Sequence, residues 1–537
     1  MAAKLAKKKK EKENTGKIIM TSFLEYMSVL WAVVLVIALP VYIKDGYYQI
    51  GATKFEVYAR VALVGLPILL ALVLVYLFFS VREKGISVQG CKNVWADMSA
   101  TDRFVVFYFM AVLVSYIACG NWKEAFWGYA GWYMGMFSQL TFVLIYFICS
   151  RFLKDSSLVL SVLCIVSTYV FVLGIQHRLL IDPIGVYESL TDYYKTQFLS
   201  TLGQASWYSS FMTIILPIGM FAFWHFKNLL LRIVSGLFVL CSFMTMVTQN
   251  TDSAYFGFLA ATLVLLHVSI KDARSMRRLF EVMLLFTISP KVMQLLLNFY
   301  PNDIMTWDTI SYFLVFDPRV WVLTVFCVIM IVVFALLDKK NNYPQKSMRI
   351  ARNILYGVLL MLLFAWVVIL ALSAKGMLPT VLLSLTESIP YLIWDDTWGN
   401  GRGFTWSATA KMMSEMNIKD RLFGVGPDCY AIYAHGNYNE LMKSKWGDMV
   451  LCNAHNEWLN TFFDLGLLGG ITYLGIFVTA IGRFVKKSSG RPVLIGMAAC
   501  IAAYMAHNMF CYQQVLCTPF VFLFLAIGEY QIRKKAE

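Results

Sequence analysis

Residues 353–373 read NILYGVLLMLLFAWVVILALS, a run without one charged side chain. A helix needs about 20 apolar residues to cross a hydrocarbon core of roughly 30 Å, and this run suffices alone. Working outward, comparable runs recur at 18–43, 57–81, 104–119, 127–150, 156–175, 205–225, 229–249, 253–270, 279–299, 318–337, 463–482, 492–508 and 515–532. The run at 279–299 is interrupted by Ser289-Pro290-Lys291 and reads as a broken helix. The expected fold is therefore all-α, a polytopic membrane helix bundle of about 14 transmembrane helices. Residues 1–372 supply helices 1–11, residues 373–462 a large ordered external loop, and residues 463–537 helices 12–14.

Composition agrees. Of 537 residues, 59% are hydrophobic and 15% charged, whereas a soluble domain carries roughly 25% charged residues. The net charge of +14 raises the question of an anionic partner, and its placement answers it. With even-numbered loops on the cytoplasmic side, the basic stretches Lys7–Lys10, Lys271–Arg278, Lys339–Arg352, Arg483–Arg491 and Arg533–Lys535 all fall inside. This is the positive-inside pattern, and it requires no nucleic acid. The first apolar run is too long for a signal peptide and lacks a small-residue cleavage site, so it reads as a retained helix. The 11 cysteines show no CxxC and no metal-ligand spacing. Cys429 and Cys452 share the long external loop, which suits a disulfide between them and two free thiols equally.

Two external connections are long, from about residue 176 to 204 and from about 373 to 462. Long loops in compact proteins are usually functional or disordered. The second contains Trp394, Trp398, Trp406, Trp446 and Trp458 and helix-like pieces, so it reads as an ordered cap over the bundle. Its segment Thr405–Met416 suits a short helix presenting Trp406, Met412 and Met413. Under this topology His177, His435, His455 and His507 lie on the outer side, with His225 and His267 near the inner one. His507, beside Asn508 at the last external turn, reads as structural. Tyr208, Gln204 and Gln249-Asn250 suit either a polar cavity or the satisfaction of helix ends. Asp395-Asp396 with Asn400 lacks the spacing of a calcium-binding loop.

The most informative polar stretch is Asn453–Gly470, NAHNEWLNTFFDLGLLGG. A His-Asn pair stands one short helix ahead of a glycine-rich bend into a membrane span. That arrangement would hold His455 at the membrane surface, where a lipid-linked head group lies. Histidine is a competent general base near neutral pH. The competing reading is that His455 and Asn456 merely cap a helix.

His-Asn followed after nine residues by Gly-x-x-Gly resembles the signature of the O-antigen ligase and polymerase superfamily of bacterial membrane glycosyltransferases. Gly401-Arg402-Gly403-Phe404-Thr405-Trp406 looks like the family's Arg-x-x-x-Trp stretch, and Leu422–Tyr430 like its GvG turn. The motifs stand in the family's order. The clear resemblance covers roughly residues 400–530, with Gly203–Phe211 a loose counterpart of an earlier segment. The helix count exceeds the family's usual complement.

The resemblance implies transfer of a glycan, linked through diphosphate to a polyprenol, onto an acceptor hydroxyl of a glycan, lipid or other molecule. It implies no cofactor and no metal, with inversion at the anomeric carbon. His455 and Asn456 are the implied catalytic pair. Arg402 is the first candidate for the diphosphate, since a guanidinium pairs bidentately with phosphate oxygens. Arg178 is the second and Arg421 the third, the last also suiting a solvated surface charge. Trp406 joins them as a substrate contact. The implied location is the bacterial cytoplasmic membrane, with the site on the periplasmic or extracellular side. A polymerase of the same superfamily would use the same motifs. A transporter or flippase of lipid-linked sugars would instead place ionisable and broken-helix features near the midplane, where charge here is sparse.

Overall fold

The computed structural model describes residues 2–84, 88–249, 251–379 and 389–534. The long helices are α1 (Ala2–Val41), α2 (Ile50–Lys84), α3 (Ala100–Ala118), α4 (Met136–Phe152), α5 (Ser156–Arg178), α6 (Ala205–His225) and α7 (Leu229–Thr248). They continue as α8 (Ser253–Ser269), α9 (Ala273–Phe299), α10 (Val320–Lys339), α11 (Gln345–Ala374), α12 (Glu457–Lys486), α13 (Val493–His507) and α14 (Thr518–Arg533). Ten of these are long and apolar enough to cross a membrane, and α4, α8 and α13 are shorter apolar helices. The chain is a multi-pass, all-helical membrane protein. Its only described strands are a two-residue antiparallel pair, Phe198–Leu199 with Gly203–Gln204, just ahead of α6.

Helix length follows position. The centre of the bundle is made by α13 and α14, where Leu494, Cys500, Phe520 and Leu525 are fully buried. α13 packs against α6 and α8, α14 against α4, and α12 against α3. Helices apolar all round belong in such a centre or in lipid. α11, which contains the run 353–373, stands at the edge, and Leu370 is its one buried residue. Most of its side chains have no protein to face, so the absence of charge along the run 353–373 fits a lipid-facing surface.

Local chemistry sets the ends. Ser99 and Asp102 form a reciprocal capping box on α3. The buried Lys54 ammonium closes the end of α1 by donating to the carbonyls of Leu39 (3.0 Å), Pro40 (3.1 Å) and Tyr42 (2.6 Å). At the opposite face, Arg483 pairs with Glu529 through two 3.0 Å bonds, and Asp102 pairs with Arg151 and Arg533. The expected run at 127–150 begins later, at Met136, because Gly128 and Gly131 hold left-handed conformations in the preceding turn.

The expected break at Ser289-Pro290-Lys291 is not there: α9 runs unbroken through Pro290. Proline removes one intrahelical donor, but the neighbours find partners. Ser289 donates its hydroxyl to Leu285 O at 2.6 Å. The Lys291 ammonium leaves the helix to bind the carbonyls of Val315 and Asp317, each at 2.9 Å.

The long loop has a core of its own, with Phe404, Met412, Met416, Tyr430, Met442 and Phe463 packed together. It carries helices at Trp398–Glu415, Ile418–Phe423, Tyr430–Asn437 and Asn439–Trp446. The loop docks on α12 through two glycines. Gly466 bends α12 with a φ of 69°, and a Cβ there would fall 2.4 Å from Leu422 C and 2.5 Å from Gly424 N. A Cβ on Gly424 (φ 79°) would fall 2.1 Å from Asp464 O. With neither side chain present, Gly426 N donates to Asp464 O at 3.0 Å.

Gly466→Ala is therefore expected to destabilise the protein by about 1–3 kcal/mol or more, since it adds both strain and a backbone clash. Gly482→Ala, on the same helix with open space around it, should be neutral or stabilising by up to about 1 kcal/mol. Thermal unfolding of the two variants in detergent checks this; equal midpoints would refute the proposed contact.

Candidate functional site

Three asparagines build the turn that presents His455. Asn453 Oδ1 accepts from His455 N at 2.9 Å and from His455 Nδ1 at 2.6 Å. Asn456 caps α12, its Oδ1 accepting from Leu459 N at 3.0 Å. Asn460 Oδ1 accepts from Ala454 N at 2.9 Å, and its amide donates to Asp464 Oδ2 at 2.7 Å. Within this frame His455 has a φ of +50°, uncommon for a residue with a side chain and sustained only where surroundings over-determine it. Since Asn453 Oδ1 can only accept, Nδ1 carries the proton and Nε2 is the free basic nitrogen.

Arg402 and Trp406 lie one turn apart on the helix Trp398–Glu415 and reach the two segments flanking His455. Trp406 Nε1 donates to Ala454 O at 3.0 Å. Arg402 Nη2 donates to Phe510 O at 2.8 Å and Nη1 to Gly399 O at 2.6 Å. Among the described residues no carboxylate is within ion-pair distance of Arg402, and its buried Nε has no partner. A cation held by carbonyls alone, with a donor left over, suits an anionic ligand. Around it stands an aromatic wall: Trp394–Trp398 at 5.0 Å, Trp398–Trp406 at 5.4 Å and Trp406–Phe510 at 6.1 Å between ring centroids. Trp366 of α11 extends this wall toward the lipid-facing edge, 6.2 Å from Trp398.

The other side of the turn has the opposite character. A small cleft is lined by Asn453, Asn460, Asp464, Glu457, Tyr512, Gln513 and Trp132, and by no Lys or Arg. Asp464 Oδ1 is buried there without a hydrogen-bond partner. Tyr512 joins the two sides: its ring lies 5.3 Å from that of His455, and its hydroxyl accepts from Trp207 Nε1 (2.9 Å) and donates to Gln204 (3.1 Å). Asp428, in the GvG turn, holds the neighbouring Gly128–Gly135 loop by accepting from Tyr129 N (2.7 Å) and Met134 N (2.9 Å). Burial pushes its carboxyl up to about 7.

The remaining sequence-derived candidates sit elsewhere. Arg178 is fully buried and donates to three carbonyls, of Thr248 (2.7 Å), Lys195 (2.6 Å) and Thr196 (3.1 Å). None of its contacts is with His455 or Arg402. Arg421 is exposed and bonded to Ser414 O. Three of the four histidines expected on the outer side are engaged in holding structure. His177 accepts from Ser200 N (3.0 Å), His435 from Leu451 N (3.0 Å), and His507 lies among Ser209, Ser253 and Asn508. Tyr208 is buried against the Val170 carbonyl, and Asn250 lies outside the described residues. Met412 is not presented outward but lies fully buried in the loop's core. Cys429 and Cys452 are not bonded to each other. Among the described residues no group of three or more His, Cys, Asp or Glu is placed to hold a metal ion. Sequence reasoning did not single out Tyr512 and Gln513; their signal was a polar Tyr-Gln-Gln in a short turn between two apolar helices.

Burial first, and Arg402 second, hold the His455 pKa down at about 4. Replacing Arg402 by Gln should raise it without restoring the ordinary value. Histidine-selective NMR titration of both proteins in micelles checks this; an unchanged midpoint would show that the two groups do not interact.

No curated protein matches this chain. Residues 318–474 match the family model described as O-antigen ligase. That segment runs from α10 through the loop to the first half of α12, and so takes in Arg402, Trp406, His455 and the Gly424–Gly466 contact. The resemblance read from the motifs is thus supported over the part of the chain that carries them, residues 318–474, which match the O-antigen ligase model within a polytopic membrane protein.

Proposed function

We propose that this protein is a glycosyltransferase of cell-surface polysaccharide assembly, moving a glycan from polyprenyl diphosphate to an acceptor hydroxyl on the outer face of the cytoplasmic membrane. The observation that carries the proposal is His455, held in a left-handed turn with Nδ1 fixed and Nε2 free, beside the uncompensated cation of Arg402. The Arg402 guanidinium takes the diphosphate, with the tryptophan wall and α11 bordering the path of the polyprenol from the bilayer. The acceptor sugar enters the cation-free cleft on the other side, where carboxyl and carboxamide groups suit hydroxyl groups and no cation attracts a second phosphate.

The chemistry follows from this separation. His455 Nε2 removes the proton from the acceptor hydroxyl as its oxygen attacks the anomeric carbon. The bond from that carbon to the diphosphate breaks, and polyprenyl diphosphate leaves with the electron pair. Attack opposite the leaving group gives inversion. The fixed charge of Arg402 stabilises the departing diphosphate, so the step asks for no metal. Asn456 acts by capping α12 and holding the turn. The contacts of Arg178 and Arg421 support structural roles in place of the phosphate roles the resemblance implied for them.

Donor and base are coupled electrostatically. With the donor site empty, Arg402 helps to depress His455; a bound diphosphate cancels that charge and makes Nε2 more basic. Activity requires neutral His455 and is lost as pH falls through its pKa. Because kcat/KM reports the free enzyme and kcat the bound complex, the acidic limb of kcat should lie at higher pH than that of kcat/KM. Coincident limbs would rule out the coupling.

Purified protein in liposomes, given polyprenyl-diphosphate glycan and candidate acceptors, tests the whole reading. His455→Ala should lose about 10²–10⁴-fold in rate. Arg402→Lys should lose at least about tenfold despite keeping its charge, because bidentate geometry goes with the guanidinium. One new species on an added acceptor means ligase; a ladder still on polyprenol means the polymerase of the same superfamily. Glycolipid moved between leaflets with no new bond would replace the enzyme by a transporter.

A further inference from the structure

We propose that Cys119 and Cys429 form a disulfide that fastens the outer end of α3 to the GvG turn of the external loop. Cys119 follows the last residue of α3, and its backbone N–H donates to Ser115 O as the helix C-cap. Cys429 immediately precedes the helix Tyr430–Asn437. The two meet in a small apolar cluster with Ala125. Gly426 is the wedge between them: a Cβ built there would lie 2.7 Å from Cys119 Cβ and 3.0 Å from each of the two sulfurs. Both sulfurs thus lie within 3.0 Å of one point that no side chain occupies, and their mutual contact shifts the titration of each. Cys452, the partner in the same loop that the sequence offered, lies instead against Trp132.

The position gives the bond a use. Gly426 N and Val425 N donate to the Asp464 and Phe463 carbonyls, and Ser115 Oγ donates to the same Asp464 carbonyl at 2.9 Å. The pair therefore flanks the place where α3, the GvG turn and the bend of α12 converge. A crosslink there closes more than half of the chain into a loop and removes the corresponding freedom from the unfolded state. On the outer face of the membrane a disulfide is chemically permitted, whereas cytosolic thiols are kept reduced.

The two thiols lose two protons and two electrons to form one S–S bond. The acceptor is an exchangeable protein disulfide of the outer compartment, which is reduced to two thiols. Because Cys119 and Cys429 are 6% and 1% exposed, exchange takes place while the loop is docking, and the finished bond is shielded. The inference rests on the outer-face orientation proposed above and not on glycosyl transfer, so the two fail separately.

The test uses the full-length protein from its native membrane, denatured in N-ethylmaleimide, purified and digested without reductant. Mass spectrometry is expected to find a peptide pair joined through Cys119 and Cys429, with Cys452 alkylated. Reductant should lower the thermal midpoint of this protein and leave that of the Cys119→Ser/Cys429→Ser protein unchanged. Recovery of both cysteines alkylated, or of Cys429 joined to Cys452, would overturn the proposal. So would the same reductant effect in both proteins.

Discussion

Two stretches of backbone distant in sequence touch at Gly424 and Gly466 with no room for a side chain on either. Everything at the site is referred to that contact. Gly466 lets α12 begin twice, first as a short helix under the loop and then as a membrane helix. Gly424 and Gly426 let the loop's turn hydrogen-bond to the carbonyls exposed at the bend. Backbone groups left unpaired at membrane depth cost several kcal/mol each, so the bend and the turn satisfy one another. The consequence is positional: His455 precedes the bend by three turns of helix, and Arg402 belongs to the loop that docks on it.

The turn carrying His455 illustrates how a strained conformation is held. A left-handed, non-glycine residue costs of order 1–3 kcal/mol, and three asparagine side chains supply the bonds that offset it. Glu457 extends the hold into the bundle: its carboxylate accepts from Tyr473 at 2.6 Å and Tyr504 at 2.8 Å, and also from Asn508. The same asparagine's carbonyl accepts from Glu457 N at 3.0 Å. The imidazole is thus referenced to α12 and α13 together.

Much of this was legible in the sequence, and the reasons are physical. Lipid imposes a length and a composition on every crossing helix, so hydropathy located the runs closely. The motif glycines and the His-Asn pair were visible because the family resemblance is carried by those residue types. What escaped was whatever depends on which groups finally meet. Arg178 looks like Arg402 in a sequence, as an arginine in an outer loop, yet it ends among three carbonyls while Arg402 retains an unpartnered donor. Pro290 looked like a break because the pattern does not reveal that Lys291 would find two carbonyls on a neighbouring segment. For Cys429 the sequence offered Cys452 as a partner, or a free thiol equally, and did not bring Cys119 into view because the two lie far apart along the chain.

The same comparison explains why one histidine of four stands out. A buried imidazole with both nitrogens bonded to rigid groups has no capacity left, and His507, between two serines and Asn508, is such a case. His177 and His435 each use one nitrogen to accept a backbone N–H, which is the ordinary use of a histidine at a loop. His455 inverts that arrangement: its Nδ1 donates, so the nitrogen left over is an acceptor, and the nearest fixed charge is a cation that keeps it unprotonated. A base must be neutral before it acts and must strengthen when its partner arrives. In the proposed reaction a cation that an incoming anion can neutralise meets both conditions with one residue, which is why Arg402 and His455 are read as a pair.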